Sequence, residues 1–137
     1  MISILLGLLC LIGVHSTVLI ISPKKTPFSN NYLPYLYANF GVVNYGKSQD
    51  FNVVVLNSTL CSVENMSKFK TPTYIVAEGN YSECSYPDQA INAQSLGAKG
   101  IIYGSEETKY YDDIVWADDG KGQKVHITCL FITLEDM

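Results

Sequence analysis

Few residues of this chain have the means to do chemistry, and their spacing argues against most of it. The sequence holds two histidines, His15 and His126. His15 lies in an apolar leader, so a Ser–His–acid triad would have to use His126 as its base. His126 stands in the alternating run Val125-His126-Ile127-Thr128-Cys129-Leu130-Phe131-Ile132. That context reads as a strand-end or surface histidine, and a small hydrolase working through His126 is the weakest functional reading. No CxxC, HExxH or paired His–carboxylate spacing occurs. Asp112-Asp113 and Asp118-Asp119-Gly120 offer oxygens of the kind calcium accepts but lack EF-hand spacing, and read as a solvated acidic loop. Gly97 and Gly100 follow a helical segment, whereas a phosphate cradle needs glycines before one. No catalytic residue, metal ligand or cofactor is expected.

Contact chemistry is better represented. Tyr110, Tyr111 and Trp116 fall in the polar, acidic segment from Ser105 to Lys124, whose end Ala117-Asp118-Asp119-Gly120-Lys121-Gly122 is turn-rich. They are candidates for touching a protein or peptide partner. Folding back onto the core is the plainer alternative for loop aromatics. Nucleic acid is not expected as a partner. The net charge is −4, every basic side chain apart from histidine is a lysine, and forked guanidinium contacts are unavailable.

The elements that must position these residues are legible in outline. A chain of 137 residues, 47% of them hydrophobic, can bury one sizeable core and hardly two. Ser82 or Ser85 can cap a helix that starts near Tyr86. Pro87 suits the first turn, and Asp88 complements the positive end of the helix dipole. Tyr86, Ala90, Ala93 and Leu96 form one apolar face that Ile91 broadens, leaving Asp88, Gln89, Asn92 and Ser95 for water. Gly97 supplies a left-handed stop. Strand-like runs cover Val18–Ile21, Phe51–Leu56, Thr73–Ala77, Gly100–Tyr103 and Val125–Ile132. Between Ser22 and Tyr45 the chain is rich in Pro, Asn and Tyr and reads as loop with short structured pieces.

Met1 to Ser16 has the apolar core and small-residue exit of a secretory signal peptide. An uncleaved anchor over Ile2 to Ile21 is the rival, but His15, Ser16 and Thr17 interrupt it. Three sequons begin at Asn57, Asn65 and Asn80, in keeping with the secretory pathway. Removal of the leader takes Cys10 with it and leaves Cys61, Cys84 and Cys129, an odd number. A bridge from Cys61 to Cys84 would close a loop of about two dozen residues and contribute roughly 3 kcal/mol. Cys129 shares the face of Ile127 and Phe131 and reads as a buried free thiol, with a partner outside the chain as the alternative.

Several of these segments resemble the protease-associated (PA) domain. Ala38-Asn39-Phe40-Gly41 is similar to the entry motif of its sorting-receptor and RING-type E3 ligase branches. Tyr74-Ile75-Val76-Ala77-Glu78-Gly79-Asn80 through Cys84-Ser85-Tyr86 resembles the strand, glycine turn and Cys-Ser-aromatic step. Asn92-Ala93-Gln94 through Gly97-Ala98-Lys99-Gly100 is the closest match. Glu78 departs from the basic residue usual before the glycine turn, and the proline common ahead of the late strand is absent at Ile127-Thr128. The resemblance implies an α/β chain with a PA-like β-sandwich or open barrel flanked by one or two helices, and a Cys61–Cys84 bridge. Residues 17–137 are expected to form a single PA-like domain short of its last helix and strand.

The function this implies is a non-catalytic luminal or extracellular interaction module that recognises a protein or peptide as cargo or substrate. A sheet edge and the Ser105–Lys124 loop are the expected contact surface. A regulatory or lid domain from a secreted peptidase is the alternative. A membrane enters only if the parent protein carries a transmembrane helix downstream.

Overall fold

The computed structural model describes residues 17–19, 32–43, 50–106, 114–115 and 117–133. The expected signal peptide at residues 1–16 lies outside them, as do Tyr110, Tyr111 and Trp116. Eight strands and one α-helix are found among the described residues. Short strands β1 (Thr17–Leu19) and β2 (Tyr32–Pro34) pair antiparallel as a separate ribbon. The main sheet contains β3 (Leu36–Ala38), β4 (Asn52–Val55), β5 (Thr73–Glu78), β6 (Gly100–Ser105), β7 (Ile114–Val115) and β8 (Thr128–Thr133). Helix α1 (Tyr86–Ser95) connects β5 to β6. The chain is therefore α/β.

Strand order is β4-β5-β6-β8-β3-β7. β4, β5, β6 and β8 run parallel, β3 returns antiparallel to β8, and the two-residue β7 lies parallel to β3. Strands buried on both faces need no polar alternation. β5 and β6 meet that condition with the apolar runs Tyr74-Ile75-Val76-Ala77 and Ile101-Ile102-Tyr103, every residue of which is buried.

The period-two alternation of strands divides these residues into two clusters. On the helix side, Ile75, Ile101 and Cys129 are register partners and pack with Ala90, Ala93, Leu96 and Leu60. Tyr103 and Phe131 are also register partners on that side, and their rings meet the ring of Tyr86 at centroid distances of 5.0 and 4.9 Å. On the opposite face Tyr37, Tyr74, Val76, Ile102, Leu130 and Ile132 form the second cluster. Phe51 stacks on Tyr74 there at 4.0 Å.

Helix α1 follows from local chemistry. The side-chain oxygen of Ser85, not Ser82, accepts the Asp88 N–H at 3.2 Å and caps the first turn. Leu96 closes the helix, and Gly97 follows with φ of 82°, the left-handed conformation that glycine adopts without strain. Ala90 and Ala93 are fully buried, and their small side chains let the helix lie close to the sheet.

Gln89 departs from the expected pattern. It is 0% exposed, and its Oε1 accepts the Leu60 N–H at 3.2 Å. Asn92 Nδ2 donates to the Leu60 carbonyl at 2.9 Å. Both backbone groups of Leu60 are thus held by α1, whose buried surface extends round to Gln89 because the Leu60–Cys61 segment covers that flank.

One further boundary differs from the sequence reading. β8 begins at Thr128 rather than Val125, because Gly122–Lys124 forms a 3-10 turn and Val125 N–H closes onto the Gly122 carbonyl. Val125 and Ile127 are nevertheless buried on the helix side. In keeping with its reading as loop with short structured pieces, the Pro- and Tyr-rich stretch near residue 35 contributes the three-residue β3, and Tyr37, Ala38 and Phe40 are core residues.

Candidate functional site

Parallel sheets present their ligand crevices beyond the carboxyl ends of the strands. β5 ends at Glu78 and β6 at Ser105, and Gly79 N–H extends the ladder by donating to the Gly104 carbonyl at 2.8 Å. A cavity of about 430 Å³ opens at this point. Its floor is Tyr86, which is buried and whose hydroxyl donates to the Gly79 carbonyl at 3.3 Å. The same hydroxyl lies 3.3 Å from Ser105 Oγ. Tyr103 locks the other end of the Tyr86 residue by donating its hydroxyl to the Tyr86 carbonyl at 2.7 Å. Burial pushes the Tyr103 phenol well above its ordinary range, so it remains a donor.

The rim has a distinct chemical character. Tyr81 is 51% exposed, with its ring centroid 5.6 Å from that of Tyr86. Glu78 and Glu106 line the same cavity, and neither makes an ion pair among the described residues. Asn80 is half-buried, and its Oδ1 accepts from both Ser82 N–H at 3.0 Å and Ser82 Oγ–H at 2.6 Å. An aromatic ring flanked by two carboxylates is suited to a basic or amphipathic side chain.

This rim is pinned from below. Cys61 and Cys84 are disulfide-bonded with Cα atoms 5.7 Å apart. Cys84 immediately precedes the cap Ser85, so the bridge fastens the start of α1 to the segment leaving β4. Thr59 Oγ donates to Glu83, and Glu78 N–H donates to the Ser58 carbonyl at 3.1 Å. The exits of β4 and β5 and the entry of α1 therefore form one braced unit.

No protein-family model and no curated protein matches this chain.

The remaining sequence candidates divide between structural roles and open surface. Cys129 is a buried free thiol, and burial pushes its pKa far up, which makes it a poor nucleophile. His126 is exposed and lies at the opposite end of the sheet, beside a second open cavity of about 420 Å³ lined in part by Gln94, Lys99 and Thr128. Its backbone N–H donates to Gln94 Oε1 at 2.7 Å. Asp118 spends Oδ1 on the N–H groups of Gly120 and Gly122, at 2.9 and 2.8 Å, and Asp119 accepts from Lys121 N–H at 3.1 Å. Those aspartates build a turn. Among the described residues no group of three or more His, Cys, Asp or Glu side chains could hold a metal ion. Asn57 and Asn65 are exposed.

Lys121 ties that turn to the helix entry, reaching Asp88 Oδ2 at 2.7 Å and Asp119 Oδ2 at 3.6 Å. The hydrogen bond from Lys121 holds the Asp88 carboxyl below its ordinary value of 3.8. The same bond raises the Lys121 ammonium above 10.5. A depressed carboxyl contributes stability above its unfolded pKa and loses it as pH falls through the folded value. A raised ammonium contributes below its unfolded pKa and loses it as pH climbs through the folded one. The pair is exposed, so its contribution is small and salt-sensitive. Asp88→Asn should lower the urea midpoint slightly at pH 7, and the difference from wild type should shrink as pH falls below 3.8 and through the lower folded value. Equal midpoints at pH 7 in low salt would show that the contact does not contribute.

Sequence reasoning named Asn80 as a sequon, Glu78 as a departure from the family pattern and Tyr86 on the helix face, but did not group them as one site. Glu78 and Tyr81 lie three residues apart, but Glu106 is distant in sequence and comes to them through the pairing of β5 with β6. The available signal was the glycine step Glu78-Gly79 immediately after an apolar strand.

Proposed function

We propose that the chain is a non-catalytic interaction module of the PA type, working in the secretory lumen or outside the cell. In this reading its strands belong to a PA-like sandwich or open barrel, and a protein or peptide is recognised at the carboxyl ends of β5 and β6. The observation that carries it is the braced cavity there, lined by exposed Tyr81 together with Glu78 and Glu106. The Cys61–Cys84 bridge is compatible with an oxidising compartment. No helix among the described residues is long and apolar enough to cross a membrane. The strand, cysteine, capped helix, glycine and strand succession supports the family resemblance at the level of element order.

The partner segment is expected to bring a lysine or arginine to the Glu78–Glu106 rim and to lay an apolar stem on Tyr81. Peptide display against the secreted, disulfide-bonded protein tests this. Selected peptides should be enriched in basic residues and lose at least tenfold in affinity on Tyr81→Ala or Glu78→Lys. Binders indifferent to both substitutions would place recognition elsewhere, and a selection that never rises above background would remove the module reading.

A further inference from the structure

Among the described residues, strand β4 lies at the end of the sheet and pairs with β5 on one side only. Its hydrogen bonds fix which residues face that neighbour. Asn52 N–H donates to Pro72, Leu56 N–H donates to Val76, and Ser58 accepts from Glu78. In a parallel ladder alternate residues bond to the same neighbour. Val53 and Val55 therefore turn their N–H and C=O groups away from β5.

Their side chains share one face as well. Val53 and Val55 are register partners of Tyr74 and Val76, and so extend the apolar cluster on the side of the sheet opposite α1. They are 51% and 54% exposed. An edge of this kind is a template for pairing with another chain, and proteins ordinarily blunt it with lysine, proline or a bulge. The strand Asn52-Val53-Val54-Val55 has no charge and no proline, and its register with β5 runs unbroken.

Asn57 begins the sequon Asn57-Ser58-Thr59 and is exposed. It follows Val55 by two residues, in the bend by which the chain leaves β4. We infer that Asn57 carries an N-glycan whose first sugars cover the outer edge of β4. Sugar hydroxyls meet the open N–H and C=O groups, and the apolar faces of the rings lie over Val53 and Val55. The glycan thus replaces the charged gatekeeper that the strand lacks and keeps the chain from pairing edge to edge with a second copy. The sheet edge is then a protected surface rather than the partner-binding one.

This inference rests on the secretory part of the proposed function but not on the cavity, and its test separates the two. The full chain is secreted from eukaryotic cells, and glycopeptides are mapped by mass. Wild type, Asn57→Gln, Asn65→Gln and enzymatically deglycosylated wild type are then compared by light scattering over a concentration series. Asn57 should be occupied. Its substitution or enzymatic trimming should lower the concentration at which self-association begins by at least tenfold. Asn65→Gln should behave as wild type, and Val55→Lys added to Asn57→Gln should restore the monomer. Occupancy at Asn65 with Asn57 bare would overturn the inference and leave the secretory reading intact. A chain bare at Asn57, Asn65 and Asn80 alike would overturn the inference together with that reading. Occupied Asn57 whose removal leaves association unchanged would overturn the shielding role.

Discussion

Alanine at both Cys61 and Cys84 lowers the unfolding free energy by about 2–5 kcal/mol, the cost typical of losing a native disulfide in a small secreted domain. The bridge spans a separation of 23 residues, for which the chain-entropy estimate is about 3 kcal/mol. The bridge joins the exit of β4 to the cap of α1, and between them lie the bonds of Thr59 to Glu83 and of Ser58 to Glu78. Once the bridge is cut, only non-covalent contacts, these and the bonds of Gln89 and Asn92 to Leu60, hold α1 to the segment leaving β4. Urea unfolding of the purified double variant, monitored by tyrosine fluorescence, should show a lower midpoint with the slope little changed. Binding of display-selected peptides should weaken as well, because the rim residues Asn80 to Ser82 lie inside the closed loop. A midpoint equal to that of the wild type would mean that the bridge does not constrain the unfolded chain.

Phe131→Ala should cost a similar amount, about 3–5 kcal/mol, as is usual for removing a fully buried aromatic ring. Phe131 has no exposed surface and contacts Tyr86 edge-on at 4.9 Å and Tyr103 at 4.8 Å. The vacated space would lie beneath Tyr86, the floor of the candidate site. The substitution should therefore reduce peptide affinity as well as stability, whereas Phe131→Leu keeps most of the volume and should cost under about 1.5 kcal/mol. Thermal and urea unfolding of the two variants measure the difference. Equal losses for alanine and leucine would indicate that the aromatic contacts, rather than the filled volume, are what matter there.

The central β5–α1–β6 unit was readable from the sequence because each of its signals is local. Pro87 and Ser85 mark the start, Gly97 the end, and two apolar runs flank the helix. β3 was not legible, since Tyr35, Tyr37 and Pro34 carry no clear alternation and the strand exists through its pairing with β8 and β7. Gln89 looked solvent-facing by composition, but the Leu60 segment folds over that flank of the helix. The N-terminal shift in β8 has a similar cause. Val125 and Ile127 are apolar and alternate properly, yet the chain is still completing a 3-10 turn and has not reached the sheet. The cavity was least legible of all, because its rim joins residues from the ends of two strands and the intervening loop.

The grip of α1 on Leu60 bears on how Cys61, Cys84 and Cys129 choose partners. Gln89 and Asn92 together hold the N–H and C=O of the residue immediately before Cys61. The start of the same helix carries Cys84, so packing of α1 against Leu60 brings the two thiols side by side without any covalent link. Cys129 is withdrawn meanwhile into the centre of the sheet beside Ile101. Pairing fidelity is thus a property of the packed helix, and the oxidant need only seal a choice that non-covalent contacts have already made.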